Sequence, residues 1–211
     1  MRRAVDRAGG TSGACLKRVA LALAVLLLSG LLSGCSLPVE TEEAAYELVD
    51  PGVVLAEPII ITSIGQSVDV HMVKELCERM GLEYQLEPLL APADLTASTG
   101  TLVLVLGANS RCIANARTTL ANEIARAKGL LTNARDMEIA TVAMHIGGKV
   151  RRDASSDQLI VAICPRVDYL IAVEEGNQDG LLTRISRQKQ IPLQLVPDLA
   201  SSVDPFVRAV R

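Results

Sequence analysis

Four short segments hold the residue types that could do chemistry, and each follows an apolar run. They are Thr62-Ser63-Ile64-Gly65-Gln66-Ser67, Gly107-Ala108-Asn109-Ser110-Arg111, His145-Ile146-Gly147-Gly148-Lys149 and Glu174-Glu175-Gly176-Asn177-Gln178-Asp179-Gly180. Glycines let backbone N–H groups approach a bound molecule, and a helix that starts just after them carries partial positive charge. A carboxylate or phosphate is the ligand such segments suit. Arg111, Arg151 and Arg152 add cationic side chains to the set. Gly, Asn and Ser are also ordinary turn and capping residues, so one segment alone reads as a turn. The coincidence of four points to a ligand site.

Three sharper chemistries can be drawn from the same residues. A hydrolase would use Ser67 or Ser63 as nucleophile, His145 as base and Glu174 or Asp179 to orient the imidazole. Against it, Gly65-Gln66-Ser67-Val68-Asp69 lacks the second glycine of a nucleophile elbow, and the order Ser, His, acid is not that of the α/β-hydrolases. Glu174, Glu175, Asn177 and Asp179 offer hard oxygen donors to calcium or magnesium, but no twelve-residue ligand loop or paired histidines accompany them, and no metal is expected. A nucleotide enzyme would need G-x-G-x-x-G or G-x-x-x-x-G-K-[ST], and neither follows the first strand. His71, beside Lys74 and Glu75, reads as a surface residue.

The elements that must position these segments are legible from periodicity. Apolar runs Ile59–Thr62, Thr101–Leu106, Ile139–Met144, Asp168–Val173 and Leu193–Val196 read as strands, with Tyr84–Leu86 a weaker edge strand. Between them, Ser67 is expected to cap a helix that presents Val70, Val73, Leu76, Cys77 and Met80 on one face and ends at Gly81. A long helix is expected from about Cys112 to Asn133, with Ile113, Ala116, Leu120, Ile124, Ala127 and Leu131 inward. Shorter helices follow over Ser155–Cys164, Gly180–Gln190 and Asp204–Arg211. Strands apolar at every position must be covered on both faces, which requires parallel strands with helical crossovers. The expected fold is therefore α/β: a three-layer α/β/α, doubly wound (flavodoxin-like or Rossmann-like), mostly parallel sheet of five or six strands in order 2-1-3-4-5. In such a sheet the ligand crevice lies at the carboxyl ends of the strands, where the four segments fall.

The N-terminal region reads as an address. Arg2, Arg3, Arg7, Lys17 and Arg18 precede an uncharged run from Val19 to Leu32, too short at an α-helical rise to span a hydrocarbon core. Leu32-Ser33-Gly34-Cys35 resembles the lipobox of bacterial lipoproteins, in which the thiol accepts a diacylglyceryl group. The expected organisation is a signal over 1–34, a lipidated N-terminus and acidic tether over 35–57, and a single domain over 58–211. The expected location is the extracytoplasmic face of a cell membrane, held by lipid on Cys35. Removal of the signal leaves 16 basic against 23 acidic side chains, net −7, which disfavours nucleic acid as a partner. Near absence of aromatics disfavours a carbohydrate site built on stacked rings. Cys77, Cys112 and Cys164 remain, an odd number without metal spacing, and read as small buried hydrophobes.

From Pro58 to about Leu199, the motifs TSIGQSVDVHMVK, TLVLVLG, AMHIGGKVRR and VDYLIAVEEGNQDGL resemble a bacterial family known as domain of unknown function 6305. The resemblance implies a secreted or lipid-anchored small α/β domain and no particular activity or cofactor. The Gly107 turn continues here as ANSRC, where the family is richer in glycine. The functional expectation is a non-catalytic module that binds a small anionic or polar molecule through Thr62, Ser63, Gly65, Gln66, Ser67, Gly107, Asn109, His145, Gly147, Gly148, Arg151, Arg152, Glu174, Glu175, Gly176, Asn177 and Asp179, acting with a transporter or sensor. The alternatives are the Ser–His hydrolase and a structural lipoprotein with no ligand.

Overall fold

The computed structural model describes residues 47–210. The signal run, Cys35 and the first part of the tether lie outside the described residues.

Six strands form one sheet: β1 (Ile59–Ile64), β2 (Tyr84–Leu86), β3 (Thr101–Leu106), β4 (Ala140–His145), β5 (Tyr169–Val173) and β6 (Leu193–Val196). Their spatial order is β2-β1-β3-β4-β5-β6 and every pairing is parallel, so the expected order holds and β6 extends it by one strand. Strands β1, β3 and β5 are buried at every position, as the covering of both faces demands. The helices are α1 (Val70–Met80), α2 (Ser110–Asn115), α3 (Leu120–Asp136), α4 (Ala154–Ile163), α5 (Leu181–Lys189) and α6 (Val203–Ala209).

Alternation along the strands divides the core into two layers. Ile59, Ile61, Val103, Val105, Met144 and Tyr169 pack with Val70, Val73 and Cys77 of α1 and Phe206 of α6. Ile60, Leu102, Leu104 and Leu106 pack on the opposite face with Ala127, Leu130 and Ala134 of α3, Leu159 and Ile163 of α4 and Leu182 of α5. The sheet is thereby the middle layer of an α/β/α sandwich, and strand order reverses between β1 and β3.

Several boundaries differ from the periodicity reading. β1 runs on to Ile64, so Thr62 and Ser63 are buried strand residues and not loop ligands. The long helix expected from Cys112 is two helices, because Arg117 takes a left-handed φ of 52° and Thr119 caps a new start by accepting from Asn122 N–H at 3.1 Å. Asp69, not Ser67, is the N-cap of α1, and the Ser67 hydroxyl instead accepts from the Asp69 N–H at 3.2 Å.

Residues 47–57, expected to be tether, lie against the domain. Leu55 is fully buried and bridges Val210 in parallel, the Val49 N–H donates to Gln194 Oε1 at 2.7 Å, and Thr101 Oγ1 exchanges hydrogen bonds with the backbone of Ala56. This strap crosses the edge of the sheet where the strands begin. Cys77 and Cys164 are buried, and burial pushes both thiols up to about 12; Cys112 is half-buried. No helix among the described residues is long and apolar enough to cross a membrane.

Candidate functional site

The loops after β1 and β3 flank the point where strand order reverses, and they fill the gap between them with backbone. Gly107 N–H donates to the Ile64 carbonyl at 3.1 Å and Asn109 N–H to the Gly65 carbonyl at 2.8 Å. A Cβ on Gly65 would stand 2.7 Å from the Gly107 carbonyl oxygen, so the contact requires glycine there. Gly65 and Gln66 are tied from below as well. The Glu123 carboxylate of α3 accepts from the Gly65 N–H at 3.1 Å, and Arg126, one helical turn on, pairs with Glu123 at 2.8 Å while donating to the Ser63 and Leu90 carbonyls. Gln66 Nε2 reaches the same carboxylate at 3.5 Å. Glu123 is buried and Arg126 half-buried, a polar pair that the apolar periodicity of α3 hides. Asn109 is likewise committed, accepting from Cys112 N–H at 3.1 Å to cap α2.

The crevice continues from β3 toward β4, and there a carboxylate occupies it. Asp69 is 3% exposed. A Cβ on Gly147 would lie 2.6 Å from Asp69 Oδ2 and one on Gly107 would lie 3.7 Å from it, so the two glycines make room for this oxygen. The only hydrogen-bond partner of the carboxylate among the described residues is Arg151, whose Nε lies 3.3 and 3.2 Å from the two oxygens and whose Nη2 lies 3.2 Å from Oδ1. Arg151 sits on the 3-10 turn Lys149–Arg151 after β4, and its side chain is 29% exposed. The pair therefore spans the mouth from the β1 loop to the β4 loop. Asp69 is the site residue that sequence reasoning missed. Its signal, an acid at the start of α1, is indistinguishable in sequence from a helix cap.

Arg152 faces the other way. Its guanidinium donates to Asp157 Oδ1 at 2.7 Å, to Asp179 at 3.1 and 2.8 Å, and to the Gly176 carbonyl. Those hydrogen bonds, Asp179 first, raise the Arg152 pKa, and the same pairing holds the Asp179 carboxyl below the usual carboxylate range. Of the three arginines expected to offer charge to an anion, Arg151 and Arg152 thus already serve internal carboxylates, whereas Arg111 is exposed and has no ion pair among the described residues.

His145 ends β4 and is 1% exposed. Its Nδ1 lies 3.1 Å from the Leu106 carbonyl. A carbonyl can only accept, so Nδ1 carries the proton and, in the neutral ring, Nε2 is a lone pair. Among the described residues, Nε2 is buried without a partner. Burial, reinforced by Arg152, lowers the imidazole pKa against the opposing pull of the Leu106 carbonyl and Asp69. Gly176 closes over the ring, and a Cβ there would stand 2.7 Å from His145 Cδ2. Among the described residues no serine hydroxyl hydrogen-bonds this imidazole, and Ser63 Oγ is itself buried and unpartnered, so the hydrolase arrangement is not assembled.

The acidic segment after β5 divides in two. Glu174 and Glu175 are exposed on a 3-10 turn, with Glu175 lying over Gly148. Asn177 is buried and caps α5, accepting from Leu182 N–H at 2.9 Å and donating to Thr183 Oγ1 at 2.7 Å. Asp179 adds a bond from Leu181 N–H at 3.1 Å. No group of three metal-ligating side chains occurs among the described residues. At the opposite edge of the sheet, a cleft of about 360 Å³ opens between the strap at Val53–Val54 and Leu131, Arg135, Arg166 and Asp168.

Among solved structures the chain is similar to a carbohydrate kinase from Agrobacterium tumefaciens, at 13% identity and a TM-score of 0.34, over 65% of this chain and 52% of that one. The match thus spans about half the length of the kinase. No curated protein sequence matches. The model of the family described as Domain of unknown function (DUF6305) matches residues 56–210, and the chain belongs to that family.

Proposed function

We propose that the protein is a lipid-anchored, extracytoplasmic binding module that takes a small polar molecule at the Asp69 crevice and acts with a membrane transporter or sensor. One observation carries the binding reading. A buried carboxylate stands where a doubly wound sheet binds its ligands, and a single, partly exposed arginine closes it over. The lipobox-like Leu32-Ser33-Gly34-Cys35 supports the anchor. Val150, 92% exposed beside Arg151, and the half-exposed Val68 beside Asp69 give the rim of the crevice an apolar edge that a protein partner could cover.

A thermal-shift screen against small metabolites of either charge tests the binding reading. A true ligand at a hundred times its Kd adds about 2.7 kcal/mol to the folded state. A blank result across a broad panel refutes the module. The anchor has its own test: Cys35→Ser is expected to move the protein from the membrane to the soluble fraction, and a protein that stays soluble without the substitution contradicts it.

A further inference from the structure

The crevice holds one buried carboxylate and one guanidinium, and the two differ in how easily each can leave. Asp69 is fixed at the first turn of α1. Its backbone carbonyl accepts from Met72 N–H at 2.9 Å, its N–H is held by Ser67, and its side chain is 4% exposed against Gly107 and Gly147. Arg151 reaches it on a long flexible stem from a 3-10 turn, with more than a quarter of its side chain in solvent. A molecule entering from outside meets Arg151 first and displaces it far more readily than it displaces Asp69.

The sign of the ligand follows. An anion would have to settle beside a buried carboxylate that cannot withdraw, and Glu174 and Glu175 on the same end of the sheet add to the repulsion. Arg152, the second arginine of the β4 loop, is spent on Asp157 and Asp179, and the remaining cations at this end, Lys149 and Arg111, are solvent-exposed rather than buried at the carboxylate. A cation that takes over the bonds of Arg151 leaves the carboxylate paired throughout and releases the arginine to water, where a guanidinium is well solvated.

Resting on the crevice being a ligand site, we propose that it recognises a cationic group of guanidinium, amidinium or primary ammonium type, for which Arg151 is the internal stand-in and Asp69 the counter-ion. Asp69 supplies two acceptor oxygens in the planar arrangement that a forked N–H donor matches. Arg151 acts as a gate whose removal frees the site.

The test uses the full-length protein with n-butylguanidinium and n-butylammonium as probes, and inorganic phosphate and acetate as opposite-sign controls, read by calorimetric titration. Arg151→Met keeps the aliphatic stem and uncovers Asp69, and it is expected to bind one of the cationic probes at least tenfold more tightly than wild type. Asp69→Asn combined with Arg151→Met is expected to show no saturable binding. If Arg151→Met does not fold, Arg151→Lys reads the same question, because an ammonium cannot reproduce the two-pronged contact and should compete less well than the native arginine. Equal affinity in wild type and the gate variants, undiminished binding after loss of Asp69, or preferential binding of phosphate or acetate would each overturn the proposal. A metabolite panel run in parallel separates the two failures. A neutral or anionic hit that protects the crevice removes the cation assignment and leaves the binding module standing, whereas a blank panel together with silent cationic probes removes both.

Discussion

Gly147 and His145 show how single residues set this site. Gly147 has no side chain because the Arg151 stem and the Asp69 carboxylate need the space, with Arg151 Cγ 2.1 Å and Asp69 Oδ2 2.6 Å from where a Cβ would stand. Gly147→Ala is expected to push Asp69 and Arg151 apart and to cost about 1–3 kcal/mol by overpacking, measured by urea unfolding. An unchanged unfolding midpoint would show that the carboxylate has room to move. His145 contributes through its proton. Its folded pKa lies below the ordinary imidazole value of 6.5, so the native state favours the neutral ring. Its contribution to stability is complete above 6.5 and erodes as the pH falls below that value, where the unfolded chain binds a proton that the folded one refuses. The wild type is expected to lose more stability than His145→Gln between pH 7 and pH 5.5, and equal losses would show that the imidazole is not held neutral. The four polar segments were legible as the ends of strands, because glycine, asparagine and serine after an apolar run are turn and capping residues. What they bind to each other was not, since Asp69 and Arg151 are 82 positions apart and pair only once β1 and β4 are laid in one sheet.

Elements obey the same division between local and long-range causes. Strands β3 and β5 were readable because a run that is apolar at every position has to be covered twice. The break between α2 and α3 was not readable, since Arg117 and Thr119 interrupt the apolar spacing at a point that has neither proline nor glycine. Helix α5 begins at Gly180 without a side-chain cap of its own, and Asn177 caps it from three residues upstream. Asn177→Ala is expected to cost about 1 kcal/mol and to raise amide exchange in the first turn of α5. Protection unchanged at Leu182 and Thr183 would assign the cap to Asp179 instead. On α3 the pair of buried Glu123 and half-buried Arg126 fastens the helix to the end of β1. Arg126→Met strands a charge in the interior and is expected to cost about 3–5 kcal/mol in a denaturant titration, with a loss below 1 kcal/mol showing that water reaches Glu123.

At the scale of the whole domain, the six-stranded parallel sheet and its two helical layers follow from the alternation of short apolar runs with helical periods, and the strand order is the common one of doubly wound sheets. The strap of residues 47–57 did not follow, because an acidic segment broken by Pro51 and Gly52 has no period to reveal that Leu55 is buried or that Gln194 is waiting for its backbone. That strap carries a geometric consequence for the crevice. The chain enters the domain along the edge where the strands start, and the Asp69 crevice opens at the edge where they end. A six-residue strand is about 20 Å long, so about the length of a strand stands between the two. The point where the described chain enters and the Asp69 crevice therefore belong to opposite ends of the strands, so a molecule reaching the carboxylate need not pass the strap.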